Sequence, residues 1–352
     1  MYNPPMPTTI SDREDARWPA GWVDRAPRMA DVDRVVEMLN ARSQAFCGRN
    51  QSTPADVRAW WTWPRMNLET DMRLVFADDE VVGGIAAVYN DGEPYVDLPC
   101  SATVHPRHEA CAELWDWLHS WALRRVTELA ALASPDIRVA ASTRTFSGDQ
   151  ARCEAVERAG FQLVRVGNDM GIDLVAQPPE AQWPAGISVR TANVEQDLEA
   201  IVAHYLETWR DHWGFVEQPF NQVLADWRER VKALGDKLDP TLWFLAVDGP
   251  EIVGVSLCNN QIADDTTRGY VDALGVRPAW RKCGVALALL HHTFAEFHRR
   301  GYAAVELDMD SQNLTGALRV YERAGMHVIR QSMSYEKELR PGIDLATREL
   351  AA

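Results

Sequence analysis

Residues 276–286 read Val276-Arg277-Pro278-Ala279-Trp280-Arg281-Lys282-Cys283-Gly284-Val285-Ala286. The apolar run 270–276 before them has strand character, and 285–297 after them carries apolar residues at helical spacing. A turn feeding a helix N-terminus presents unpaired N–H groups and the positive end of the helix dipole, which together attract phosphate. Gly284 and Ala286 leave that backbone bare, with Arg281 three residues before the glycine. The spacing is neither G-x-x-x-x-G-K-[ST] nor G-x-G-x-x-G, so the nucleotide loops built on those patterns are excluded. An ordinary strand-to-helix turn containing a glycine has the same local appearance.

A second stretch sharpens the reading. Arg300-Gly301-Tyr302 is a helix stop, and Ala303 to Asp308 then reads as a buried strand through Ala304, Val305 and Leu307. Next come Asn313, Ala317-Leu318, Tyr321-Glu322 and Gly325-Met326. Arg-x-x-Gly-x-Ala after a strand ending Val-x-Pro, followed by this second pattern one helix and one strand later, resembles the GNAT acetyltransferase superfamily. The resemblance implies an α/β fold with a mixed central sheet flanked by helices, and acetyl-CoA as co-substrate. It also implies that Arg281, Lys282, Cys283, Gly284, Val285 and Ala286 cradle the pyrophosphate.

The chain repeats itself. Glu154-Ala155-Val156-Glu157-Arg158-Ala159-Gly160-Phe161 matches Arg319 to Met326, and Leu74 to Gly83 parallels Leu242 to Gly254 as strand, turn and strand. Two tandem GNAT-like acyl-CoA N-acyltransferase domains are therefore expected. They follow an extension over 1–26 and occupy 27–175 and 187–340, with a Pro-rich linker over 176–186 and a tail over 341–352. The copies are unequal. Anchoring Val104-His105-Pro106 on Val276-Arg277-Pro278 puts Glu109 in the place of Arg281 and Ala112 in that of Gly284, while Val156 replaces Tyr321. The first copy is expected to be structural or substrate-shaping, and the second to be the working one. That arrangement resembles the mycothiol synthase family and its relatives.

Composition bounds the setting. At 352 residues with a net charge of −15, the chain lacks the clustered Lys and Arg that nucleic acid or an anionic membrane would require. Only four of its 36 basic residues are lysine (Lys232, Lys237, Lys282, Lys337), which suggests a GC-rich bacterial genome. Cys47, Cys100, Cys111, Cys153, Cys258 and Cys283 show no paired spacing, as in a reduced cytoplasmic protein. Neither a signal peptide nor 18 consecutive apolar residues is visible, and no metal site is expected, since adjacent His291 and His292 diverge on their helix. A small-molecule amine is the expected partner, with a homodimer open.

The resemblance distributes further roles. Main-chain groups of Leu274, Gly275 and Val276, at the splayed end of the fourth strand, would polarise the thioester and pair with pantetheine. Gly275 would leave room beside the thioester. Tyr321 would protonate the departing thiolate, although helical spacing from Ala317 and Ala324 also fits a core tyrosine. Asn313 would bond pantetheine or cap a helix. Asp272 is the favoured base, with Glu207, Asp264, Asp265 and Glu306 as alternatives. Trp209, His212 and Trp213 form an aromatic cluster that either walls the acceptor pocket or packs the core. The expected reaction is direct attack of a small primary amine on acetyl-CoA in a ternary complex. A non-catalytic acyl-CoA-binding or regulatory protein and an N-acyltransferase for longer acyl chains are the alternatives.

Overall fold

A computed structural model describes residues 19, 21–63, 66–87, 97–235, 238–311 and 316–348. The first copy runs β1 (Trp22–Arg25), α1 (Val32–Cys47), α2 (Pro54–Trp61), α3 (Leu68–Asp71), β2 (Met72–Ala77), β3 (Glu80–Ala87), β4 (Asp97–Val104), α4 (Ala112–Ala130), β5 (Val139–Phe146), α5 (Gln150–Arg158) and β6 (Gln162–Asp173). The second repeats the order as β7 (Ile187–Thr191), α6 (Val194–Trp209), α7 (Phe220–Leu234), β8 (Trp243–Asp248), β9 (Glu251–Asn259), β10 (Arg268–Val276), α8 (Val285–Arg299), β11 (Ala304–Asp310), α9 (Ala317–Arg323) and β12 (His327–Arg340). Local chemistry sets the ends. Thr53 and Asp56 close a capping box over Pro54 at the start of α2, and Gly301, at φ +82°, follows α8.

The two copies share one sheet, which separate central sheets per domain did not anticipate. Its order is β1-β2-β3-β4-β5-β12-β6-β11-β10-β9-β8-β7, and the copies exchange their last strands. β12 pairs with β5 of the first copy, and β6 with β11 of the second, both antiparallel. β6 and β12 also pair antiparallel with each other at the centre. A palindromic strand order about an antiparallel centre implies a pseudo-twofold axis normal to the sheet. Such an axis keeps equivalent helices on the same face. α4 and α8 therefore cover one face, and α1–α2 and α6–α7 cover the two ends of the other.

Four apolar clusters follow this plan. Trp115, Leu118 and Trp121 of α4, and Leu289, Phe294 and Phe297 of α8, fill one face. Met38 of α1 with Trp61 of α2, and Ile201 of α6 with Trp227 of α7, fill the ends of the other. Burying each large apolar side chain contributes about 1.5–3 kcal/mol, so α8, wholly buried at Leu289, Leu290, Phe294 and Phe297, is a firm base for the loop preceding it.

One expected boundary shifts. β1 lies within the stretch assigned to the extension, and its pairing with β2 makes residues 22–25 part of the fold, while residues 1–18 of that stretch lie outside the described residues. The tail through 348 is also docked, with bridges Ile137↔Ile343 and Val216↔Ala346 reaching both copies.

Candidate active site

The site starts where two parallel strands part. β10 and β11 pair only at Arg268↔Ala304, Gly269↔Val305 and Tyr270↔Glu306. Beyond that, β11 stays with β6 through Asp310↔Gly167, and β10 stays with β9 through Val276↔Gly254. A bulge between Val271 and Ala273 lets Asp272 and Ala273 lean to the same side and bends β10 away. The resulting wedge opens toward the loop that the sequence singled out.

In that loop Lys282 and Gly284 both have positive φ, +62° and +96°. A Cβ on Gly284 would meet nothing within 4 Å, so the surface above it is open. The first ladder bond of α8 is Ala288 N–H to Gly284 C=O, which leaves the amides of 285–287 ahead of the ladder and facing outward. Cys283 is exposed at the rim, its Sγ 3.4 Å from the Arg281 carbonyl. This stretch fits a phosphate through its main chain.

Arg281 departs from its expected place beside the phosphates. Its Nε donates to Val276 O at 3.0 Å, its Nη2 to Thr208 O at 3.2 Å, and its Nη1 bonds Asp211. Burial works to raise the Asp211 carboxyl, but the Arg281 guanidinium holds it below the usual carboxylate range. Arg281 thus braces the loop to the C-terminal end of α6.

The room expected beside Gly275 is occupied. A Cβ there would lie 2.6 Å from Trp209 Cζ3, 3.0 Å from Thr208 Oγ1 and 3.2 Å from His204 Cε1. Trp209 stacks between Tyr205 and His212, with centroids 4.7 and 5.3 Å apart. Trp213 instead lies 4.7 Å from the Arg348 guanidinium and 5.6 Å from that of Arg165. The three aromatic candidates therefore pack under β10 and against the tail, and none of them lines either of the two cavities described below. Burial lowers the pKa of His212 despite its neighbour Asp211.

Tyr321, buried on α9, belongs to the α8-side core. Burial, then the charge of Asp308, push its hydroxyl well above the ordinary tyrosine range, so it stays protonated. Leu274 and Val276 border the same core from β10. Asn313 lies outside the described residues. Asp272, the expected base, is held by Arg230 of α7 at 2.6 and 2.8 Å. Burial raises its pKa while Arg230 opposes the rise, and a clamped carboxylate is poorly placed to take a proton from an incoming amine. The alternatives are also engaged or outlying. Glu306 is buried beneath Arg49 and Arg268, Asp265 accepts from Thr267, Glu207 lies 3.4 Å from Arg277, and Asp264 is exposed.

On the face opposite α8, the wedge meets two adjoining cavities of about 390 and 260 Å³ that share Ile262 and Tyr270. The larger runs from Asp56 and Trp63 of the first copy to Arg230 and Leu234 of α7, and the smaller adds Arg49, Arg144 and Phe146 of the first copy. Both copies therefore build this groove. Its floor includes Asp308, which accepts a bond from Tyr270 Oη at 2.5 Å and lies 3.3 Å from Arg144 Nη2. Sequence reasoning passed over Tyr270 and Asp308. The available signal was the alternation of β11, with Val305, Leu307 and Met309 facing α8 and Glu306 and Asp308, on the opposite face, lining the groove.

The first copy has the same wedge, differently filled. β4 and β5 pair only from Asp97↔Ala140 to Pro99↔Ser142. Arg152 of α5 then reaches Ser101 Oγ of β4 at 2.7 Å, across the gap between them. In the loop, Glu109 accepts from Arg42 at 2.8 Å, and Arg42 also bonds Asp149. The first copy's loop thus offers a paired carboxylate where the second offers open main chain. Among the described residues no group of three or more His, Cys, Asp or Glu is arranged to hold a metal, and no helix is long and apolar enough to cross a membrane.

Comparison with known proteins bears on the family and the fold. Residues 198–326 match the Acetyltransferase (GNAT) family. A mycothiol acetyltransferase from Saccharopolyspora erythraea is 28% identical over 231 residues, 64% of this chain and 72% of that protein. Among solved structures, a GCN5-related N-acetyltransferase from Sphaerobacter thermophilus is 30% identical with a TM-score of 0.78, covering 94% of this chain and 99% of its own. A tandem GNAT protein from the clavulanic acid biosynthesis pathway shares the fold at 14% identity and a TM-score of 0.66, covering 92% and 100%. With a relative of this identity aligned along nearly its whole length, the chain belongs to the GCN5-related N-acetyltransferase family.

Proposed function

We propose that the second copy transfers an acetyl group from acetyl-CoA to the primary amine of a small molecule, by direct attack within a ternary complex. The observation that carries this reading is the β10–β11 wedge, with the open Gly284 turn on one side and the two-copy groove on the other. The pyrophosphate is met by main-chain amides from Lys282 to Leu287 and the α8 dipole, and pantetheine by the free edge of β10 over Leu274 to Val276. Amides of that edge polarise the thioester carbonyl. The amine nitrogen forms a bond to the carbonyl carbon, the C–S bond breaks, and Tyr321 supplies the proton to the leaving thiolate.

The first copy shapes the acceptor groove and carries no acetyl-CoA, because Arg152 spans its wedge and Glu109 stands in its loop. The relatives named mycothiol acetyltransferase make a cysteinyl sugar one reasonable acceptor to try. The test is coenzyme A release over aminoglycosides, amino acids, polyamines and S-blocked cysteinyl sugars, with Gly284→Glu as the blank. Release that depends on an amine and vanishes in the variant is expected. Acetyl-CoA binding without release from any amine would favour a regulatory binder, and faster release from longer acyl chains would reassign the donor.

A further inference from the structure

We propose that Tyr270 and Asp308 together take the proton from the acceptor amine, with Tyr270 touching the amine and Asp308 acting through it. The proposal rests on the acetyl-transfer reading above. Tyr270 is the last residue of β10 paired with β11 and lines both cavities, so its hydroxyl stands where the wedge opens into the groove. Its proton points to Asp308 Oδ1 at 2.5 Å, which leaves the phenol oxygen's lone pairs to accept an N–H from the groove. Asp308 is the exposed member of the β11 alternation, with 42% of its side chain accessible, and can pass a proton on to solvent.

Charges of both signs surround the pair. Asp272 on β10 and Asp169 on β6 add negative charge around Tyr270, and the charge of Asp308 also reaches Tyr321 on α9. Cations approach from the other elements. Arg144 of β5 reaches Asp308, Arg330 of β12 is bound to Asp169, and Arg230 of α7 is bound to Asp272. Arg49, in the loop after α1, is held by Glu306 of β11. Of the carboxylates around Tyr270, Asp308 is the one that its hydroxyl bonds. Burial first, and then Asp308, hold the Tyr270 hydroxyl above its ordinary range, so Tyr270 acts as a relay and never as a free phenolate.

In the step, an N–H bond of the ammonium breaks as its proton passes to Tyr270 Oη, and the proton of Tyr270 passes to Asp308 Oδ1. An ammonium and a carboxylate become an amine and a carboxylic acid. The transfer is uphill, because an amine is the stronger base, and it is drawn forward as the uncharged amine attacks the thioester. Asp308 then loses its proton to water in the groove.

The experiment compares wild type, Tyr270→Phe and Asp308→Asn with two probes, S-methylcysteinyl-glucosamine, whose amine is largely protonated at neutral pH, and hydroxylamine, which is already uncharged. Release is measured above the Gly284→Glu blank, and acetyl-CoA binding by each variant serves as the folding control. Both variants should lose roughly 5- to 10-fold in kcat with the protonated probe at pH 7, the ratio of charged to free α-amine there. The loss should shrink as pH rises and the amine deprotonates unaided, and rates with hydroxylamine should hold. The double variant should lose no more than either single one. Equal losses with both probes, or wild-type rates with both, would overturn the relay. No release by wild type with either probe, despite acetyl-CoA binding, would overturn the acetyl-transfer reading and the relay with it.

Discussion

Replacing Gly275 by alanine separates two roles for that glycine. If it leaves room for the thioester, an added methyl obstructs acetyl-CoA and the fold is indifferent. The structure points elsewhere, since the methyl would sit 2.6 Å from Trp209 Cζ3, with Thr208 Oγ1 and His204 Cε1 at 3.0 and 3.2 Å. Trp209 cannot easily yield, being stacked between Tyr205 and His212, and Tyr205 is itself backed by Trp227 of α7. His204 is fully buried, its pKa lowered to about 4 by burial, so it also has nowhere to retreat. Overpacking of this kind costs about 1–3 kcal/mol. With both copies in one sheet, the whole chain unfolds together, and that is a fall in Tm of roughly 1–2 °C per kcal/mol. Denaturant unfolding of Gly275→Ala, and of the same change with Trp209→Leu, measures it. The single variant should be destabilised, and its pairing with Trp209→Leu should cost less than the sum of the two separate changes. Full stability with a raised KM for acetyl-CoA alone would refute the packing argument.

Other expectations follow from the same geometry. Tyr321→Phe should lower kcat about 100-fold with little change in the KM of either substrate, checked by steady-state coenzyme A release. Cys283 is exposed beside the open turn, so maleimide labelling should abolish turnover and acetyl-CoA should protect against it, as mass spectrometry of the labelled peptide would show. Arg299 and then Arg300 hold the Glu296 carboxyl down to about 2, against an ordinary 4.5. Its contribution to stability is thus present above pH 4.5 and lost as pH falls toward 2, and Glu296→Gln should flatten the acid limb of the unfolding curve.

Much of the second copy was legible because its signals are local. A glycine at positive φ ahead of an apolar helix, and a helix stop at Gly301, are properties of neighbouring residues, and both stand where the sequence placed them. The repeat was legible for the same reason, since Gly160 and Gly325 each follow a short helix with positive φ. Strand exchange was not legible. Matching segments identify β6 and β12 as equivalent, but nothing in either strand states which edge it joins. The partners of long polar side chains were equally hidden. Arg281 resembled a phosphate ligand until Asp211 and Thr208, some seventy residues earlier, were found to hold it. Asp272 resembled a base until Arg230 was found on it. Tyr270 and Asp308 belong to different strands, and only the wedge brings them together.

The most direct test of a single working cradle is the binding stoichiometry of coenzyme A by isothermal titration. The open turn at Gly284, set against the spanned wedge at Arg152 and the paired carboxylate at Glu109, predicts one molecule per chain and none for Gly284→Glu. Two molecules per chain, or undiminished binding by that variant, would contradict it.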